Sequence, residues 1–438
     1  GKNATVLGEI AEMHIVTEKG NANTALELLE RALKRDKRNA GLYVLQGNAY
    51  RKLPDASSAF QSYKKAIEEN KGLAEAYYQL GDIFVGQKNE DVYVDYFNQA
   101  LAADANYAPA HYALYRHYVN TNPTTAMTHF SKYSQLADKS VQQEYSYTDL
   151  LYLTKDYQNA INRAIQLLQV EGDKVQPRLY KLIAYSYQAQ KDSVSATSYM
   201  QEYFRKEADS NFLVKDFETM AGLYARDTNT IDSAMVYYQR ALPVAVDSAT
   251  LYEIYDKLAD LAKAKGDYLA EAQWLGKYYT GNERATNVNL FNWGLALYRS
   301  KEYKAADSVF GLYVEKYPEQ GFGFYWRARS NAALDDEMKE GLAIPHYNKL
   351  IEKLIADSVT LSPTDKKWLI EAYGYLAAYE TNTQEDYTEA ITWFNRLLEV
   401  DPANENAKKY IAILEENIAK GKSGKEGKQE QEETEGKN

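Results

Sequence analysis

Five histidines are the side chains of this 438-residue chain best suited to metal or acid–base chemistry: His14, His111, His117, His129 and His346. Ligands on one helix recur three or four residues apart so that they share a face. The nearest two here, His111 and His117, are six apart, so no ligand set is expected. Cysteine is absent, which removes thiolate nucleophiles, thiolate metal sites and disulfides together. The run "GFGFYW" from Gly321 lacks the third glycine and the preceding strand of a dinucleotide fingerprint, and "GKSGKEGK" near the C-terminus has the wrong spacing for a phosphate loop. Carboxylates are plentiful, but scattered Asp and Glu on polar helix faces are what an acidic surface looks like. No enzymatic activity, metal or cofactor is therefore expected.

The elements that would position any site are more legible. Eleven times a small residue sits four places before a larger, mostly aromatic one: Ala25 and Leu29, Ala59 and Tyr63, Tyr93 and Phe97, Ala126 and Phe130, Ala160 and Ala164, Ala196 and Met200, Ala234 and Tyr238, Ala270 and Trp274, Ala306 and Phe310, Ala343 and Tyr347, Ala390 and Phe394. The steps are 34, 34, 33 and 34 residues as far as Ala160, then 36, 38, 36, 36 and 37, and finally 47 into Ala390. A ladder of this period marks a repeat array.

Within "AGLYVLQGNAYRKL" the residues Leu42, Leu45 and Ala49, and Tyr43, Gly47 and Tyr50, recur at helical spacing. "SSAFQSYKKAIEEN" repeats the period through Ala59, Tyr63, Ala66 and Ile67, with Pro54 and Asp55 at the break, so each unit is a helical hairpin. Helices approach closely only where the crossing side chains are small; Gly47 opposite Ala59, and Gly81 in the next unit, are expected to supply that room. The aromatic residue four places on would then fill the gap toward the neighbouring hairpin. One hairpin cannot bury its apolar stripe alone, so stability must come from stacking.

Adding 34 to Tyr43, Gly47, Tyr50, Ala59 and Tyr63 gives Tyr77, Gly81, Phe84, Tyr93 and Phe97, and Leu290, Trp293, Gly294, Leu297, Ala306, Phe310 and Pro318 carry the same pattern later. Over residues 6–400 the chain resembles the bacterial members of the tetratricopeptide repeat (TPR) family. The resemblance implies an all-α fold, a right-handed superhelical solenoid of antiparallel helical hairpins. About eleven hairpins would span residues 1–418 as one domain, closed by a capping helix near 404–418 and followed by a low-complexity charged tail, 419–438, expected to be disordered.

The resemblance also implies that first helices of successive units line a concave groove. Helical spacing then puts Tyr78 and Asp82, Tyr112 and Arg116, Tyr145, Asp149 and Tyr152, and Lys181 and Tyr185 on that face. Toward the C-terminus the set is Phe291, Tyr298 and Arg299, then Tyr325 and Arg329, then Trp368 and Tyr375. Aromatic faces beside charged tips are typical of interface hot spots. The family's carboxylate clamp for chaperone tails is not expected: Asn48 fits one slot, but Gln79, Pro109 and Ala113 stand where Asn and the cations belong. The expected function is a non-catalytic scaffold that binds a peptide or protein segment; the alternative is an envelope glycan-binding protein that stacks Tyr and Trp on sugar rings.

Composition narrows the partners. A net charge of −11 argues against nucleic acid, which requires a positive surface. The one dense basic run, Lys34, Arg35, Lys37 and Arg38, falls at a helix end where cations complement the dipole. No apolar stretch is long enough to span a membrane. The chain opens with Gly1 rather than Met, as though a leader had been removed, which suggests a periplasmic or secreted protein, with a cytoplasmic one as the alternative.

Overall fold

In most hairpins the same local chemistry recurs. The second helix opens on an Asp or Asn whose side chain accepts the free N–H three residues on: Asp55 from Ser58 at 3.0 Å, Asn122 from Thr125 at 3.1 Å, Asp192 from Ser195 at 3.0 Å, Asp267 from Ala270 at 3.0 Å and Asp386 from Glu389 at 3.0 Å. The turn before it passes through a left-handed residue, with Lys88, Lys155, Lys191 and Lys301 at φ 57°, 65°, 66° and 67° and Gly266 at φ 79°. Short turns of this kind make the two helices antiparallel.

The computed structural model describes residues 3–356 and 361–421 and is all-helical over them. The tail from residue 422 and the interhelical stretch 357–360 lie outside the described residues. The chain divides into two compact units, Gly1–Glu207 and Ala208–Asn438. In the first, α1 (Ala4–Val16) pairs with α2 (Ala22–Leu33), α3 (Ala40–Lys52) with α4 (Ala56–Glu69), α5 (Ala74–Gly86) with α6 (Glu90–Ala103), α7 (Ala108–Tyr118) with α8 (Pro123–Leu136), α9 (Val141–Leu153) with α10 (Tyr157–Glu171), and α11 (Arg178–Ala189) with α12 (Ser193–Lys206). In the second, α13 (Val214–Tyr224) pairs with α14 (Ile231–Ala241), α15 (Ser248–Lys265) with α16 (Tyr268–Gly281), α17 (Asn287–Arg299) with α18 (Tyr303–Lys316), α19 (Gly321–Leu334) with α20 (Ile344–Ala356), and α21 (Pro363–Tyr379) with α22 (Tyr387–Val400); α23 (Glu405–Ala419) packs on α22.

The ladder is the core. Ala25, Ala59, Ala126, Ala160, Ala196, Ala234, Ala306, Ala343 and Ala390 have no exposed surface. The glycines, however, do not face those alanines. A Cβ on Gly47 would lie 2.3 Å from the Tyr63 ring, one on Gly81 2.6 Å from Phe97, and one on Gly294 2.7 Å from Phe310. Each aromatic ring therefore fills the hollow of its own hairpin first. Its far side belongs to the next: Tyr63 clusters with Ala76 and Leu80 of α5, and Phe97 with Ala110 and Leu114 of α7.

The eighth rung is a correction. Ala270 and Trp274 are only partly buried, whereas Glu271 and Leu275 are 4% and 9% exposed. The cap explains it: where a capping residue opens the second helix, the slot falls four residues after it, as with Asp55 and Ala59, Asp192 and Ala196, or Asp386 and Ala390. Counting from Asp267 gives Glu271, which thus occupies a position built for alanine. Its Oε2 has no hydrogen-bond partner. Burial, the largest cause, raises its pKa; Lys263 and Arg299 oppose the shift and Asp260 adds to it.

For a carboxyl whose native pKa is raised, the stabilising contribution is complete below the unfolded value and is lost as pH rises through the native one. Glu271→Ala is accordingly expected to stabilise unit 2 at neutral pH by about 1 to 2 kcal/mol, the cost of an unsatisfied buried acceptor. The gain should shrink as pH falls toward 4.5, the ordinary value of the group. Urea denaturation at both pH values measures it, and a neutral-pH loss of stability would sink the assignment.

Candidate binding cleft

In unit 1 the residues expected on the groove face have different fates. Tyr145 is 2% exposed; its hydroxyl accepts from Gln176 N–H at 3.0 Å and the Arg178 guanidinium lies 5.0 Å above its ring. Tyr78 is partly buried against Phe97 and Tyr107, with ring centroids at 5.5 and 5.8 Å, and burial raises its pKa. Tyr152 packs on Tyr157 at 5.7 Å, Lys181 lies 4.8 Å above the Tyr203 ring, and Tyr185 is partly buried. Asp82 and Asp149 are tied to the first helix of an adjoining hairpin, Asp82 by Arg51 of α3 at 2.6 Å and Asp149 by Arg178 of α11 at 2.8 and 2.9 Å. Burial is the largest influence on Asp149 and lifts its carboxyl above the usual value in spite of Arg178.

Tyr112 and Arg116 remain open. Tyr112 is 40% exposed, its ring 4.8 Å from Tyr133 and 5.9 Å from Tyr115. Arg116 is exposed and makes no ion pair among the described residues. Both line a cleft of about 400 Å³ bounded by α7, α8 and the start of α9. Tyr115, Phe130 and Tyr133 form its aromatic wall, and Asn120, Gln142, Gln143 and Ser146 its polar one. The sequence explains the opening. Tyr115 is the eighth residue of α7, the place of Gly47 in α3 and Gly81 in α5. A ring cannot slide under Phe130 as a glycine does; it meets Phe130 edge-on at 5.0 Å and 62°, and α7 and α8 are held around it.

His111 and His117 do not meet each other. His111 Nδ1 lies 3.1 Å from Nδ1 of His129 across the α7–α8 hairpin, and its Nε2 3.1 Å from the Ala105 carbonyl oxygen. His117 Nδ1 lies 2.8 Å from the Tyr93 hydroxyl. Burial and then His111 pull the His129 pKa down. No group of three or more His, Asp or Glu suited to a metal occurs among the described residues.

In unit 2 most of the expected residues are brought together and closed off, while Arg299 stays exposed. Tyr325 and Trp368, each 8% exposed, stack at 4.8 Å and 19°, so Trp368 offers no open face to a sugar ring. The cluster turns on Glu371, which the sequence reading missed. It accepts from the Tyr325 hydroxyl at 2.7 Å and the Tyr347 hydroxyl at 3.1 Å, and its Oε1 lies 3.3 Å from Arg329 Nε. Arg329 sits 5.6 Å from the Tyr298 and Tyr325 rings and 5.1 Å from Trp326. Burial first, then Glu371, pushes the Tyr325 hydroxyl up to about 12. The Tyr375 ring lies 4.9 Å from Tyr347; its buried hydroxyl has no partner and is pushed up to about 12, mainly by burial. Phe291 packs among Phe310, Phe322 and Trp326, and the Arg299 guanidinium lies 5.7 Å over Tyr268. The spacing of Trp368, Glu371 and Tyr375 on one helix was the available signal for Glu371.

No helix among the described residues is long and apolar enough to cross a membrane. No curated protein matches the chain. Among solved structures it is similar to the C-terminal part of a TPR repeat-containing protein from Cytophaga hutchinsonii, with 28% identity over 61% of this chain and 99% of that one and a TM-score of 0.37. It is also similar to a tetratricopeptide repeat protein from Parabacteroides merdae, with 16% identity, 58% and 98% coverage and a TM-score of 0.34. A third is YrrB, described as a TPR protein with an unusual peptide-binding site, with 17% identity, 42% and 93% coverage and a TM-score of 0.38. The family model for the tetratricopeptide repeat matches residues 40–72 and 74–107, the segments that form α3 with α4 and α5 with α6. Residues 40–107 thus carry two tetratricopeptide repeats, set in a run of like hairpins.

Proposed function

We propose that this chain is a non-catalytic scaffold that holds a peptide segment of a partner protein in the cleft at Tyr112 and Arg116. Repeat arrays of this family serve generally as protein-interaction scaffolds. The observation that carries the narrower reading is the cleft itself: a concave space of about 400 Å³ that joins an exposed aromatic ring and an exposed arginine to a row of amides and hydroxyls. An extended segment needs backbone hydrogen-bond partners and one side-chain pocket, and this lining offers both. The unit 2 cluster supports the same choice, because its arginine and tyrosine hydroxyls are already taken by Glu371.

Site-specific photocrosslinking in the native cells tests the reading. A benzophenone side chain at Asn120, in the cleft, should capture a discrete protein, while the same group at exposed Lys132 on α8 should not. Tyr112→Ala should reduce the capture about tenfold or more, as removal of an aromatic hot spot does. Equal labelling from both positions, or none from Asn120, would overturn it.

A further inference from the structure

We infer that the segment held at Arg116 carries a carboxylate, an inference that rests on the peptide-binding reading above. The first helices of unit 1 contain three arginines: Arg51 on α3, Arg116 on α7 and Arg178 on α11. Two are spent inside the protein, Arg51 on Asp82 at 2.6 Å and Arg178 on Asp149 at 2.8 Å. Those two carboxylates and Arg116 hold the same place, the ninth residue of α5, α7 and α9, so that the sign alternates acid, base, acid. Each acid has been matched by an arginine from an adjoining hairpin. The base between them has not.

What sets Arg116 apart is its place, between two acids on the same helix position that are each matched by an arginine. The cleft that Arg116 borders contains no Asp or Glu at all. Around it stand groups able to donate: the Asn120 and Gln142 amides, the Ser146 hydroxyl, and the amide nitrogen of Gln143, whose oxygen already accepts from Ser140 N–H. Guanidinium binds carboxylate through paired, charge-assisted hydrogen bonds, and flanking neutral donors add to the preference without adding a competing charge. Tyr112 and Tyr133, 4.8 Å apart, give the adjacent residue of the segment an aromatic floor. The occupant that fits is an Asp- or Glu-bearing peptide with an apolar or aromatic side chain beside the acid.

The test uses the full chain on an array of immobilised random short peptides. The unmodified chain should select sequences enriched in Asp and Glu. Arg116→Gln should lose that enrichment and bind the selected acidic peptides about tenfold or more weakly, the fold-change expected for a charge-assisted hydrogen bond. Arg116→Glu should turn the preference toward Lys and Arg. Because Arg116 is exposed and unpaired, both variants should melt with the parent, and that control is run alongside. Selection without acidic enrichment, or enrichment unchanged in Arg116→Gln, defeats the carboxylate inference and leaves peptide binding standing. Selection of no peptide defeats the peptide reading, and this inference with it.

Discussion

Phe310→Ala is expected to destabilise unit 2 by about 3 to 5 kcal/mol, the usual cost of emptying a large buried aromatic site. The ring has no exposed surface, covers the bare backbone of Gly294, and stacks on Trp326 at 6.0 Å and 20°. Its loss therefore opens a void inside the α17–α18 hairpin and removes the platform on which α19 rests. In an array where each hairpin touches chiefly its neighbours, the loosening should be greatest in α17, α18 and α19 and fade along the unit. Hydrogen exchange by mass spectrometry reads this directly, and uniform deprotection of unit 2 would contradict a stacked array.

The same site makes a sharper, signed prediction. Gly294→Ala alone should destabilise, because its methyl would lie 2.7 Å from the ring and overpacking costs about 1 to 3 kcal/mol. In the Phe310→Ala background the ring is gone and the methyl enters the void. Only the helix preference of Ala over Gly remains, about 1 kcal/mol in its favour, so the sign of the substitution should reverse. A double-mutant cycle by chemical denaturation that gave additive losses would refute the ring-over-glycine arrangement.

The hairpins were legible because alanine and an aromatic residue recur at a fixed interval, and burial enforces that recurrence whatever the rest of the surface does. The pattern is broken where another residue type fills the slot. Glu271 was passed over for its neighbour Ala270, although the cap at Asp267 already specified the count. The groove-facing residues were legible as positions but not as partners. Tyr325 and Trp368 have the spacing of exposed residues, yet Gly321 at the start of α19 lets the indole approach until a Cβ there would be 3.0 Å from it, and the pair is buried. The reverse holds for Arg116. Its charge is plain in the sequence, but its freedom follows only from knowing that Arg51 and Arg178 have taken the acids on either side.

Asp335 makes the other large prediction, because a whole loop is folded around its carboxylate. The segment "DDEMKEG" after Leu334 reads as an insertion, and between α19 and α20 it closes on itself. Asp335 is 8% exposed; its Oδ1 accepts from Lys339 N–H at 2.8 Å, and its Oδ2 from Gly341 N–H at 2.7 Å, Glu340 N–H at 3.1 Å and Leu342 N–H at 3.3 Å. Met338 and Gly341 take φ of 56° and 67° to aim those groups inward, and Thr383 donates to the Met338 carbonyl oxygen at 3.0 Å. Burial is the largest single influence on the carboxyl and raises its pKa, but the backbone donors together outweigh it, so the net shift is downward.

A depressed native pKa contributes stability that is complete above the unfolded value and is lost as pH falls through the native one. Asp335→Asn keeps the shape, removes the charge and turns one acceptor into a donor facing N–H groups. At pH 7 it should cost about 3 kcal/mol or more, with Asp335→Ala comparable, since buried donors are left without a partner. Below the ordinary value of 3.8 the native carboxyl begins to take up its proton, and the gap between parent and Asn variant should close progressively in acid. Exchange at neutral pH should show residues 336–343 and 380–384 losing protection together, because Thr383 is fastened to the loop and not to α21 alone. An Asn variant as stable as the parent at pH 7, or a gap that widens in acid, would mean the loop is held by its packing against Tyr379 and Ile344 and not by the charge.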